Sequence, residues 1–227
     1  MPRPLVPDRR GRILAAARQL ILDQGWPDTT VAGLAARAGI GKGAVYLEFA
    51  DKAAILAAVL HQDMRELTAQ VHRRVLSAPG LVDLPAVYRF AVEATLANPL
   101  MSALYLGDET VLGEHVRGVG DERYLDRFHW LGDYVGQLQR AGVIDPAVST
   151  DGIVRVLGIF TLGLLHAPGV LGAMTAGELS EAVGLFADMA GRGLASGLPA
   201  DPAAARAAQL SLLARLDDQL GRLEEPA

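Results

Sequence analysis

The sequence predicts an all-α protein, and three observations carry that reading. Apolar residues recur at helical spacing along most of the chain. No segment alternates apolar and polar residues over the length of a strand. Glycine, proline or a capping Asp, Ser or Thr stands at most of the junctions. The 227 residues, 51% of them apolar, are enough to bury a core in one domain or two small ones.

The first helix is expected over Asp8–Gln24, with Asp8 as its cap and Ile13, Ala17, Leu20 and Ile21 on one apolar face. Gly25 stops it and Pro27 follows. Thr30 caps a short second helix that runs to Ala38, where Gly39 breaks it. A third covers Lys42–Phe49, and Asp51 caps a long fourth helix, Lys52–Leu76, closed by Pro79-Gly80. Further helices are expected at Asp83–Ala97, Pro99–Leu106, Asp121–Ala141, Thr150–His166, Gly177–Ala195 and Asp201–Leu223, about nine or ten in all. There is no internal repeat and no low-complexity linker. The expected division is 1–54 and 55–227, within the fourth helix, so that the parts share a continuous helix rather than a tether.

Charge is unevenly spread. Residues 1–60 hold eight Arg/Lys against five Asp/Glu, a surplus of +3 within a chain of net charge −5. A basic first part meeting a polyanion, joined to an acidic remainder, fits that balance. With no cysteine there is no disulfide framework and no thiolate chemistry, which suits a reducing cytoplasm. The N-terminus MPRPLVPDRR lacks the apolar core of a secretory signal. The most apolar run, Ile153–Gly172, is interrupted by Arg155, His166 and Pro168 and reads as a buried helix rather than a membrane span. A cytoplasmic location without membrane contact is expected.

The segment AGIGKGAVYLEF, Ala38 to Phe49, resembles a phosphate-cradling loop on first sight. That loop needs G-x-x-x-x-G-K-[ST] after a strand. Here Ala36 stands where the first glycine belongs, Gly43 replaces the Ser or Thr, and a helix precedes. The better reading is a turn. Val31, Leu34, Ala35 and Ala38 face inward, Gly39 permits the turn, Ile40 plugs the corner, and Val45 and Phe49 face the core at i and i+4. Lys42, Gly43, Tyr46 and Leu47 are left outward. Two short helices joined by a glycine turn make a helix-turn-helix, whose second helix enters the major groove of DNA.

Residues 9–60 resemble the DNA-binding domain of TetR-type transcriptional regulators. The resemblance rests on Ile13, Ala16-Ala17, Gly25, Thr29-Thr30, Leu34-Ala35, Ala38-Gly39-Ile40, Gly43, Val45-Tyr46, Phe49, Lys52 and Ile55-Leu56. It implies a homodimer whose two helix-turn-helix units read a palindromic double-stranded operator and let go when a small molecule enters the second domain. It implies DNA contacts from Thr30, Lys42, Gly43, Ala44, Tyr46, Leu47 and Lys52. Lys42 reaches a base edge or a phosphate, Tyr46 a phosphate or a thymine methyl, and Thr30 meets a phosphate or serves as a plain cap. Ala44 and Leu47 offer only apolar contacts, for instance to a thymine methyl. Arg9, Arg10 and Arg12 track the backbone, enter the minor groove, or form a solvated face. Two positions depart from the family. Gly41 stands where serine is common, and Glu48 stands near the end of the third helix, where a neutral residue is common. Phosphate repels a carboxylate, so Glu48 is expected to turn toward Lys52 or an arginine.

In the second part, an effector pocket lined by aromatics with a few polar anchors is expected. Its candidates are Tyr88, Met101, Tyr105, Phe128, Trp130, Tyr134 and Phe160, with His166 or His129 as polar partner; plain core is the competing reading for each. His129 and Asp133 lie at i and i+4, but one such pair is not a metal site, and no metal or cofactor is expected. No nucleophile–base–orienter set is visible, so no enzyme is expected. Two late helices are dimer candidates: one with Ile153, Val156, Leu157, Phe160 and Leu164, the other with Leu185, Phe186, Met189 and Gly193. Packed on their symmetry mates they would form a four-helix bundle. The last helix, with Leu213, Leu216, Leu220 and Leu223, extends the dimer, folds over the pocket, or packs on its own subunit. A repressor released by a small, largely apolar ligand is the first reading; an activator or a ligand-independent regulator of the same fold stays open, and a helical enzyme or carrier ranks behind.

Overall fold

The computed structural model describes residues 8–106, 108–114, 122–172 and 174–222. Eleven helices follow one another among them: α1 (Arg9–Gln24), α2 (Val31–Ala38), α3 (Lys42–Glu48), α4 (Lys52–Ser77), α5 (Leu84–Ala97), α6 (Pro99–Leu106), α7 (Glu109–Leu112), α8 (Glu122–Arg140), α9 (Thr150–Leu171), α10 (Ala176–Leu194) and α11 (Pro202–Arg222). There is no strand among the described residues, only an isolated antiparallel bridge between Ile144 and Ala195. The fold is all-α.

The caps explain most boundaries. Thr30 accepts from the Gly33 N–H at 3.0 Å, Asp51 from Ala54 at 2.8 Å and Asp83 from Ala86 at 2.7 Å. At α10 the chain carries T-x-x-E: the Thr175 hydroxyl accepts from the Glu178 N–H, and the Glu178 carboxylate accepts from the Thr175 N–H at 2.7 Å. The Thr175 N–H and then its hydroxyl, both donating to the carboxylate, lower the Glu178 pKa. Two elements differ from expectation. The four-residue α7 is an additional helix, held by the Asp108 side chain accepting from the Thr110 and Val111 N–H groups. Helix α9 continues through Pro168 to Leu171 instead of ending at His166. A proline so near a C-terminus forfeits one backbone bond without stopping the helix.

The chain forms two compact units. Unit 1 comprises 1–64 and 99–119; unit 2 comprises 65–98 and 120–227. The division therefore lies inside α4, ten residues beyond the expected 54/55 boundary, and unit 1 also takes in α6 and α7. The reason lies in the first half of α4, where Ile55, Leu56, Val59 and Asp63 are buried. Asp63 accepts from the Arg18 guanidinium of α1 at 3.0 and 3.2 Å. A buried carboxylate is tolerated only with such a partner.

In unit 1, α1 packs on α2, α2 on α3, and α6 on α7. Ile13, Ala17 and Ile21 of α1, Leu34 and Ala35 of α2, and Val45 of α3 are buried, with Trp26 closing one end. The Trp26 N–H donates to the Val111 carbonyl at 2.7 Å, which fastens α7 to the α1–α2 turn.

In unit 2, α5 packs on α10, α8 on α9, and α11 on α8. Its core joins Tyr134, Val135 and Leu138 of α8 to Ile153 and Leu157 of α9 and to Ala205 and Ala208 of α11. Gln209 of α11 is 1% exposed and uses its whole amide: Nε2 donates to the Val82 carbonyl at 2.6 Å and to Tyr134 Oη at 3.3 Å, while Oε1 accepts from the Val82 N–H and from Arg206. The last helix thus packs on α8 of its own chain. Leu220 and Leu223 lie outside the described side chains.

Candidate nucleic-acid interface

The helix-turn-helix is made by α2 and α3. Gly39 ends α2 with φ +68°, in the left-handed region that a side chain rarely adopts, and the Ile40 N–H returns to the Ala35 carbonyl at 3.0 Å. Gly41 starts α3 without a side-chain cap. Val45 and Phe49 are buried against unit 1, so the opposite face of α3 turns out: Lys42 and Gly43 are exposed, Tyr46 is 50% exposed and Leu47 76%. Ala44 is half-buried and Thr30 is exposed at the start of α2. Six of the seven expected DNA-contacting residues thus lie along α3 and at the α2 N-terminus.

Lys52, the seventh, is held differently. Its Nζ donates to the Trp26 carbonyl at 2.8 Å and to that of Pro27 at 3.5 Å, and sits 4.3 Å from the centre of the Trp26 ring. Burial lowers its pKa, against the raising influence of Asp28. The ammonium braces the α1–α2 turn against the start of α4. Trp26 is the residue the sequence reading passed over; the G-W-P triplet ahead of the capping threonine was its signal.

The arginines of α1 divide. Arg9 pairs with Glu48 at 3.0 Å; Arg10 lies 4.5 Å over the Phe49 ring and donates to the Glu48 carbonyl at 3.4 Å. Glu48 therefore turns back to α1, to an arginine rather than to Lys52. Arg37 of α2 pairs with Asp23 at 2.6 Å. Arg12 is exposed beside the turn, its guanidinium 2.9 Å from where a Cβ on Gly39 would stand. Among the described residues no ion pair engages Arg12 or Lys42. The two flank the α2–α3 turn and give this face its free positive charge.

A family model described as bacterial regulatory proteins, tetR family, matches residues 13–59, the stretch from α1 into α4. This chain carries a tetR-family segment over residues 13–59. It is 43% identical over 53 residues to TtgW of Pseudomonas putida, an uncharacterised helix-turn-helix-type transcriptional regulator; the match takes in 23% of this chain and spans 40% of that relative's length. The likeness in fold extends further. A TetR-family transcriptional regulator from Pectobacterium atrosepticum aligns with a TM-score of 0.58 at 24% identity, covering 82% of this chain and 93% of that one. One from Rhodococcus sp. aligns at 0.56 and 17%, covering 81% and 98%. The fatty acid degradation regulator FadR from Bacillus halodurans aligns at 0.56 and 16%, covering 86% and 99%.

The expected pocket residues differ in burial. Met101 is fully buried, on α6 of unit 1. Tyr134 is 1% exposed core of unit 2, and Trp130 on α8 is half-buried. Tyr88 and Phe160 do meet: Tyr88 Oη lies 2.6 Å from Thr161 Oγ1, and the Tyr88 ring lies 6.1 Å from Phe160 and 5.8 Å from Phe186. Phe160 and Phe186 stack at 3.8 Å. Burial raises the Tyr88 pKa, against the Thr161 hydrogen bond. The side chains of Tyr105, Phe128, His129 and His166 lie outside the described residues. An open cleft of about 280 Å³ lies elsewhere in unit 2, between α5 and α10, lined by Arg89, Arg192, Asp83 and Asp188 among others. No helix among the described residues is long and apolar enough to cross a membrane.

Proposed function

We propose that this chain is a dimeric, sequence-specific DNA-binding transcriptional repressor, released from a palindromic operator by a small, largely apolar effector. One observation carries the reading: α3, inside the segment that matches the family, leaves Lys42, Gly43, Tyr46 and Leu47 facing solvent while Val45 and Phe49 hold it to the core. Thr30 adds a hydroxyl at the α2 N-terminus, where phosphate is favoured. The effector reading is supported by the half-buried Tyr88–Phe160–Phe186 cluster with the Thr161 hydroxyl at its side.

The dimer reading is supported by the outer faces of α9 and α10. Ile153, Leu157 and Leu164, expected at the interface, are buried inside unit 2. Because α9 is apolar around most of its circumference, a second stripe is left outside: Val156, Ile159 and Leu162 are 54%, 63% and 56% exposed, and Leu185 and Met189 of α10 are each 64% exposed. A Cβ on Gly163, Gly184 or Gly193 would meet nothing within 4 Å, so these faces admit a close partner. A copy of the same pair of helices would complete a four-helix bundle.

The test is retention of genomic DNA fragments by the purified chain, with the Lys42→Ala/Tyr46→Ala double variant as control. Enrichment of one palindrome by the parent alone is the expected result. Equal, salt-sensitive retention by both proteins would reduce α2–α3 to a structural turn.

A further inference from the structure

We infer that α3 reads a pyrimidine C5-methyl group on an apolar shelf formed by Gly43 and Leu47, which makes this pair the specificity determinant of the proposed DNA contact; the inference rests on the DNA-binding reading above. Leu47 is 76% exposed, and Gly43 lies one turn before it on the same face of the helix. A helical leucine leans toward the N-terminus, over the preceding turn. Here the i−4 position, Gly43, carries no side chain and the i−3 position, Ala44, only a methyl, so beside Gly43 the shelf is bare backbone.

Nothing among the described residues asks for glycine at position 43. It lies outside the left-handed region, and a Cβ there would meet nothing within 4 Å. Glycine is among the poorest helix formers, and α3 is only seven residues long and starts without a side-chain cap. A residue that weakens the helix and fills no need of packing fits a site where another molecule comes close to the backbone. Single exposed leucines are ordinary on protein surfaces. A leucine leaning over an unneeded glycine, on the helix that turns toward DNA, is not.

The polar readers around the shelf are few. Glu48 is engaged by Arg9 at 3.0 Å. Lys42 and Tyr46 stand at neighbouring positions, and Lys42 with Arg12 supplies the positive charge that draws the duplex. The one apolar feature of the major-groove base edges is the C5-methyl of thymine; adenine, guanine and unmethylated cytosine present donors and acceptors. 5-Methylcytosine carries the same methyl at the same place, so the shared chemistry is the pyrimidine C5-methyl.

The experiment starts from the site that the full chain selects out of a random duplex pool. Each thymine is then replaced singly by deoxyuridine, which removes only the methyl. The parent is expected to lose roughly 3- to 10-fold in affinity at one thymine of each half-site, the size of one buried methyl. Leu47→Ala is expected to bind more weakly overall and to show no penalty at that thymine. Gly43→Ala is expected to melt no lower than the parent and to bind at least about 10-fold more weakly, since its methyl occupies the shelf. A 5-methylcytosine–guanine pair at that position that outbinds the thymine pair assigns the methyl to methylated cytosine; the reverse order assigns it to thymine. Selective binding with no uracil-sensitive position, or a penalty that persists in Leu47→Ala, overturns the inference and leaves DNA binding intact. Failure to enrich any site removes the DNA-binding reading and the shelf with it.

Discussion

The Arg9 guanidinium lies 3.0 Å from the Glu48 carboxylate, so the first residue of α1 is tied to the last residue of α3. The pair neutralises the only carboxylate on α3. It also makes Arg9 an internal partner rather than a free cation for phosphate.

Glu48→Gln should therefore act in two directions. Both side chains are under a third exposed, so losing the ion pair should cost about 0.5–1 kcal/mol in chemical denaturation. DNA affinity should rise by roughly 2- to 5-fold, with a salt dependence steeper by about one counterion, because Arg9 is released toward phosphate. A selective loss at one cytosine position would instead put Glu48 on a base.

Lys42 and Tyr46 should affect binding without affecting the fold. Both are exposed and neither fills the core. Lys42→Ala should weaken binding evenly across sequences and reduce the salt slope by about one. Tyr46→Phe removes a single hydroxyl and should cost about one hydrogen bond, roughly 5-fold in affinity. Anisotropy titrations at several salt concentrations, beside thermal melts, check both. Unchanged affinity in both variants would take α3 off the DNA.

Lys52→Met tests the brace. The variant keeps the side-chain stem and deletes the ammonium that donates to the Trp26 carbonyl at 2.8 Å. A loss of about 1–3 kcal/mol in stability is expected, with the salt slope of DNA binding unchanged. A reduced slope with unchanged stability would make Lys52 a phosphate contact after all.

What the sequence revealed and what it concealed follow from the range of each interaction. Caps and turn glycines act over a few residues, so Thr30, Gly39, Asp51 and Asp83 marked their boundaries correctly. The outward face of α3 was legible because Val45 and Phe49 claim the inward one. Partners distant in sequence left no trace: three arginines near the start of α1 look alike, yet Arg9 meets Glu48, Arg10 covers Phe49 and Arg12 stays unpaired among the described residues. Met101 and Tyr134 suited a pocket by residue type, and nothing local in the sequence showed how deeply each is buried. Helix α9 offered apolar residues on nearly every side, and only its neighbours decide that Ile153 and Leu157 face in while Val156 and Ile159 face out.

Tyr134 predicts an alkaline limit to stability. Burial, its largest influence, pushes its pKa up to about 12; the Gln209 hydrogen bond opposes this, Asp83 adds to it and Arg206 opposes it. An unfolded tyrosine ionises near ~10, so the folded chain holds the phenolic proton more tightly. The resulting stability is fully present below about pH 10 and is lost as the pH rises through 12, an amount on the order of 2–3 kcal/mol. Denaturation at pH 8, 10 and 11 should show this fall in the parent and a shallower one in Tyr134→Phe. Parallel curves would assign the alkaline loss to other groups.

Ile159→Asp and Leu185→Asp test the proposed interface. Each residue is more than half exposed in the single chain, so the carboxylate stays solvated in a monomer, and the melting of a folded monomer should change little. In a symmetric bundle each substitution enters the interface twice, which buries two unpaired charges. The dimer dissociation constant should rise at least about 100-fold, readable by sedimentation. Binding to a palindrome should then fall to that of an isolated half-site, because each monomer carries one α3. If both variants sediment as the parent does and keep its affinity for the palindrome, the α9–α10 face is not the interface, and the exposed apolar stripe belongs to another partner.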